Sequence, residues 1–230
     1  GRDEAGTVEI VKSAIVDNRA GENGGGVFSS GGFVKIALSV VKGNTACDSG
    51  GGIYARNTDL DLKKVAVVKN HADKDGGGIV NTGGHKKVDL VPQDGREQEA
   101  TATIADSTIA ENTAGHFGGG IFNGEEGLYK VEEGYQEWIE GDGDNARLTL
   151  RDTEIKANTA ENGGGIFNNE GTVTLTKTRV TKNTATDSSK GHRVAGGILN
   201  HKGKVRLDDE STVTNNDPTN CAGTVKDCFN

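Results

Sequence analysis

The sequence predicts an all-β chain wound into a right-handed parallel β-helix, a solenoid of about seven coils. Three observations predict it. A motif of the form aliphatic-x-x-Asn-x-Ala recurs at Ile15–Ala20, Val41–Ala46, Val67–Ala72, Ile109–Ala114, Ile155–Ala160 and Val180–Ala185. Just downstream of each lies a glycine cluster followed at once by an aliphatic residue: Val27, Ile53, Ile79, Ile121, Ile166 and Ile198. Upstream of each, apolar residues stand two apart: Val8/Ile10, Val34/Ile36, Leu60/Leu62, Ala102/Ile104, Leu148/Leu150, Val173/Leu175 and, in a last copy, Val205/Leu207. A fixed period of this kind marks stacked units, none of which can bury its apolar stripe alone.

The paired apolar residues come first in each copy. Thr, Lys, Glu, Asp and Arg alternate with them, the pattern of a strand with one face buried and one wet. Helices would need apolar residues three and four apart over longer runs, and the Gly clusters would break them. Next comes the asparagine. Asn18, Asn44 and Asn70 are 26 residues apart, and Asn112, Asn158 and Asn183 follow at 42, 46 and 25. Stacking the copies puts these amides over one another at the strand spacing of about 4.8 Å, where donors and acceptor can bond to the next coil and close the turn. Glycine is expected where the chain turns with positive φ or where neighbouring backbones leave no room for a Cβ. The seventh copy, centred on Val213 and Asn216, is imperfect, with Pro218 where Ala should stand.

Ile155–Asn168 and Ile109–Asn123 show the pattern best: Ile-x-x-Asn-Thr-Ala, then Gly-Gly-Gly-Ile-Phe-Asn. It resembles the repeats of secreted right-handed parallel β-helix proteins, the pectate-lyase-like superfamily among them. It is similar to the repeats of the polymorphic outer-membrane protein family, with Ile or Val where that family has Phe before the Asn. The resemblance implies an extracellular or cell-surface β-helix used for adhesion or as a structural rod.

Composition fits one domain over residues 1–230. Apolar residues are only 32%, as expected when each coil buries a thin column, and the 36 Gly lack a collagen period. No apolar run approaches the roughly 20 residues of a membrane helix, so no membrane insertion is expected. Neither Met nor an apolar leader opens the chain, as in a processed chain or an excised fragment. The net charge of −8 with scattered basic residues gives no footprint for nucleic acid. Cys221 and Cys228 follow the last coil and read as a disulfide pinning a C-terminal cap over 217–230, which suggests an oxidising compartment, while Cys47 has no partner in the pattern. The opposite end has no such plug. An uncovered first coil would present unpaired backbone, which points either to a capping segment that precedes this sequence or to end-to-end self-association or docking.

Insertions break the period at about 85–100, 124–145 and 187–194. The first two leave the same corner of successive coils and should lie side by side, as insertions on the binding face of a solenoid do. The second holds Trp138, Tyr129 and Tyr135, and eight acids against one base, −7 of the chain's −8. Aromatics beside carboxylates suit a glycan or a protein partner, with Tyr129, Tyr135, Trp138, Glu132 and Glu137 as binding residues; a hairpin packing its rings on the coil flank is the structural alternative. Glu140, Asp142 and Asp144 stand two apart among glycines, an arrangement that could wrap Ca2+, which takes about six to eight oxygens. No other cofactor is expected. The third insertion, with Lys190, His192 and Arg193, reads as a surface loop.

No catalytic residue is assigned. Asn57-Thr58-Asp59 is similar to a triplet of polygalacturonases, but the rest of that set is missing and the triplet reads as a turn. The five His show no metal spacing, and the Gly triplets precede strands rather than the helix a phosphate loop needs. The expectation is a non-catalytic structural or adhesive module. The alternative is a polysaccharide lyase or glycoside hydrolase working in a groove beside the insertions, with acids from 125–144 and Arg96 or Lys130.

Overall fold

The computed structural model describes residues 6–83, 100–126, 129–132, 135–138, 144–188 and 193–230, with 129–132 and 135–138 described by their backbone. Among these residues every regular element is a strand, and no helix is long and apolar enough to cross a membrane. The chain winds into a parallel β-helix of seven coils with three sheets running its length. The first sheet opens with Thr7–Val11 and Ala14–Val16 and ends with Lys204–Leu207 and Thr212–Thr214. The second is built of two-residue strands from Arg19–Ala20 to Thr184–Ala185, and the third runs from Val27–Ser30 to Cys221–Gly223.

Register follows the repeat. Val34, Leu60, Ala102, Leu148, Val173 and Val205 are successive partners in the first sheet, and all are buried. Ile53, Ile79, Ile121, Ile166 and Ile198 do the same in the third and share one apolar core with them. The outward faces alternate with these. Glu9, Lys35 and Asp61 are exposed register partners, so charges of opposite sign face one another along that column.

The asparagines form one continuous ladder. Each Asn Nδ2 donates to the Oδ1 of the next, from Asn18 through Asn44, Asn70, Asn112, Asn158 and Asn183 to Asn216, at 2.9–3.0 Å. The backbone N–H of each donates to that same Oδ1. The second Nδ2 proton goes back to a carbonyl of the coil before, as Asn112 does to Val67. An interior amide of the ladder therefore meets all four of its hydrogen-bonding valences in the dry core, where an unmet one would be costly.

Both expected uses of glycine occur within one triplet. Gly50 has φ +70. A Cβ on Gly51 would fall against the carbonyl oxygens of His71 and Gly77, and one on Gly52 would lie 2.7 Å from Gly78 O. The other tight corners depart from expectation. The residue before the ladder Asn has positive φ in every coil, and it is Asp17, Gly43, Lys69, Glu111, Ala157, Lys182 and Asn215. Only one of these is glycine. Each of the first six donates its N–H to a carbonyl of the next coil, as Lys69 does to Ala110 and Glu111 to Lys156. The stack holds the left-handed corner at the modest cost such a residue carries.

The C-terminal segment closes its end. Cys221 and Cys228 are disulfide-bonded, and Val225 and Cys228 pack on the core. Asn220 Oδ1 receives both the backbone N–H and an Nδ2 proton of Asn216 at 3.1 Å, standing where an eighth ladder amide would stand. Asn230 pairs both ways with the backbone of Cys221. Cys47 is a free, half-buried thiol.

Candidate functional site

The corner between the third sheet and the next coil's first sheet carries both long insertions. The first departs after Ile79–Thr82 and returns at Thr101–Ala105; the second departs after Ile121–Gly124 and returns at Arg147–Arg151. The feet of the two are joined. Asp144 is buried, and its carboxylate accepts hydrogen bonds from Gly83 N at 3.1 and 3.2 Å and from Ala146 N at 2.6 Å. The third insertion lies elsewhere, between Thr184–Ala185 and Ile198–His201, at the corner of the second and third sheets.

Two antiparallel strands of the second insertion are described, Tyr129–Glu132 and Tyr135–Trp138. Their register sets Tyr129 opposite Trp138, Lys130 opposite Glu137 and Glu132 opposite Tyr135. The candidate binding residues thus share one hairpin; their side chains lie outside the described residues. Of the acidic trio considered for Ca2+, Glu140 and Asp142 lie outside the described residues, and Asp144 holds backbone amides as above. Among the described residues no group of three or more His, Cys, Asp or Glu gathers to hold a metal. Arg96, Lys190 and His192 also lie outside them.

Beneath this corner, the outer face of the third sheet carries a column not anticipated from the sequence. Phe28, Tyr54, Val80, Phe122, Phe167 and Leu199 are successive register partners, each next to an inward-facing aliphatic residue. Rings stack in parallel where they are neighbours, Phe28 on Tyr54 at 5.4 Å and Phe122 on Phe167 at 5.5 Å, and Phe117 leans on Phe167 at 4.6 Å. From Tyr54 onward the column is buried and forms a second apolar cluster, whereas Phe28 is 58% exposed. The signal was present in the repeated Gly-Ile-Phe-Asn: two apolar residues in succession break strict alternation and require cover on both faces of the sheet.

A polar cluster borders this column. Tyr54 donates its hydroxyl proton to Glu126 at 2.7 Å, joining coil two to the root of the second insertion. Burial holds the Glu126 carboxyl above the usual carboxylate range, with the bond from Tyr54 opposing it and the Asp48 charge adding to it. The Tyr54 phenol is pushed up as well, by burial first and then by the neighbouring Glu126 charge. Lys74 bonds Asp48 at 2.9 Å, and that bond raises the ammonium's pKa. The arrangement offers a protonatable carboxyl, a phenol and an exposed ion pair beside aromatic faces. Such groups can bind hydroxyl-bearing or polar ligands.

Comparison with known families gives a short match. The model of the Chlamydia polymorphic membrane protein repeat fits residues 39–56. That stretch ends the coil-two strand Phe33–Lys42, passes ladder residue Asn44 and the Gly50–Gly52 triplet, and finishes with Ile53–Arg56. Part of one turn of the stack, 18 residues of a 26-residue coil, is what this chain shares with that repeat. Neither characterised proteins nor solved structures give a match to the chain.

Proposed function

We propose that this chain is a non-catalytic β-helical module, displayed outside the cell or on its surface, that holds a contact patch on the side of a stiff stack. The patch is the hairpin of Tyr129, Glu132, Tyr135, Glu137 and Trp138, and its partner is a glycan or a surface protein. The observation that carries this reading is the bracket formed by Asp144, which ties the feet of both long insertions to one corner of the stack. Loops fixed on a rigid scaffold are where recognition residues concentrate. The short match to a membrane-protein repeat supports surface display. The reading needs no cofactor; Ca2+ binding by Glu140, Asp142 and Asp144 would be an addition to it, visible as heat on calorimetric titration.

A panel of glycans and cell-surface proteins tests the proposal. Trp138→Ala with Tyr135→Ala is expected to abolish binding while the circular dichroism spectrum stays that of the parent. Turnover of a uronic-acid polymer, read as unsaturated product or new reducing ends, would instead establish the lyase or hydrolase alternative.

A further inference from the structure

The outer face of the first sheet changes character along the stack. In coils one to three its upstream strands turn outward Thr7, Glu9 and Val11, then Phe33, Lys35 and Ala37, then Asp59, Asp61 and Lys63, three acids against two bases. In coils four to seven the same columns hold Thr101, Thr103 and Ala105, then Arg147, Thr149 and Arg151, then Thr172, Thr174 and Thr176, then Lys204 and Arg206. No acid stands among these eleven positions. The residues between them, Leu148, Leu150, Val173, Leu175 and Val205, are buried, which fixes the outward direction of the rest. Bases that look scattered in the sequence are gathered by the register into one flat array, spaced about 7 Å along a strand and about 5 Å from coil to coil.

The array is unspent. Arg151, Lys204 and Arg206 are exposed and have no ion-pair partner among the described residues. The acids around the array are engaged or stand at its border. Glu154 pairs with Arg179 and Lys156, Asp208 accepts from Lys177 N and Ser211 Oγ, and Asp106 and Asp152 sit at the corner beyond it. Buried Thr153 and Thr178 donate their hydroxyls to backbone carbonyls. Thr149, Thr172, Thr174 and Thr176 make no side-chain hydrogen bond among the described residues. Threonine is stiff at χ1, so their hydroxyls are held in place between the cations.

We propose that this face binds an extended anionic polysaccharide, with its carboxylate or sulfate groups on Arg151, Lys204 and Arg206 and its hydroxyls on the threonines between them. The array offers no ring for nucleic-acid bases to stack on and no large apolar residue to enter a membrane. Screening over about 8 Å at physiological salt keeps the chain's distant acids from opposing the contact. This does not rest on the hairpin's role, which belongs to other strands.

Biolayer interferometry on immobilised heparin, polygalacturonate, neutral dextran, single-stranded DNA and phosphatidylserine vesicles tests the proposal. Heparin or polygalacturonate is expected to be held, and which of them is held names the anion; dextran is not. Arg151→Gln with Lys204→Gln and Arg206→Gln should weaken that binding by at least about tenfold, with the thermal midpoint unchanged. Arg206→Glu alone should weaken it more than Arg206→Gln. Thr149→Ala with Thr174→Ala should weaken it by about threefold. Lys35→Gln with Lys63→Gln, in coils two and three of the same sheet, should bind as the parent does, and so should Trp138→Ala with Tyr135→Ala. The proposal is overturned if neither glycan is held, if the triple variant binds like the parent, if the Lys35 and Lys63 changes cost as much, or if DNA or vesicles are held more tightly than both glycans.

Discussion

The first and last coils of the described stack are built from one repeat and differ in what covers them. At the last coil Val213 and Cys221 are buried, the ladder ends on Asn220, and a disulfide pins the segment that lies across the core. At the first coil Val8, Val11 and Val16 are exposed, and among the described residues the ladder begins with Asn18, which donates to Asn44. The coils themselves do not differ enough to explain this. At the last coil Asn220 imitates the next coil, and among the described residues no segment does so over the first. A solenoid edge is as reactive as any sheet edge until something stands in for the missing neighbour.

Removing an interior amide should have the largest effect. Asn112→Ala deletes the carboxamide that serves both Asn70 and Asn158 and is expected to cost about 3–5 kcal/mol in urea unfolding. Asn18→Ala in the first coil, which removes one side-chain hydrogen bond to Asn44, is expected to cost under about 1 kcal/mol. Equal costs would erase the distinction between the ends. Next is the clamp. Cys221→Ser with Cys228→Ser opens a short loop and should lower stability by about 2 kcal/mol, matched by adding reductant to the parent; no change would show that the cap holds by packing alone.

The pH response is smaller and sharpens a different contrast, that between core and flank. Because the folded Glu126 carboxyl holds its proton above the ordinary Glu value, the stability it confers is complete below about pH 4.3 and is lost as pH rises through the raised folded value. Glu126→Gln keeps an acceptor for Tyr54 and removes that titration, so the variant's thermal midpoint should fall less over that window and exceed the parent's at neutral pH. The smallest effect is expected at Val8. Val8→Thr should shift stability by under about 0.5 kcal/mol, against about 1–2 kcal/mol for Val213→Thr at the covered end.

The ladders could be read from the sequence because an in-register stack repeats each chemical requirement once per coil. A buried amide at Asn44 demands another at Asn70 and Asn112, and the demand shows as a period. The disulfide was legible too, since only two cysteines follow the last coil. Other features have no period to betray them. Tyr54 meets Glu126 across 72 residues and Gly83 meets Asp144 across 61, because both contacts depend on the path an insertion takes. Asn220 could not be recognised as a ladder member, being four residues from Asn216 rather than a coil away. The left-handed corners carry Lys, Glu and Asp because coil-to-coil hydrogen bonds outweigh the local preference for glycine.

The asparagine file has a direction. From Asn44 to Asn216 each side-chain carbonyl accepts from the coil before it, so the bond dipoles add along the axis and strengthen one another. The file therefore carries an axial dipole whose negative end lies toward the first coil and whose positive end meets the Asn220 oxygen.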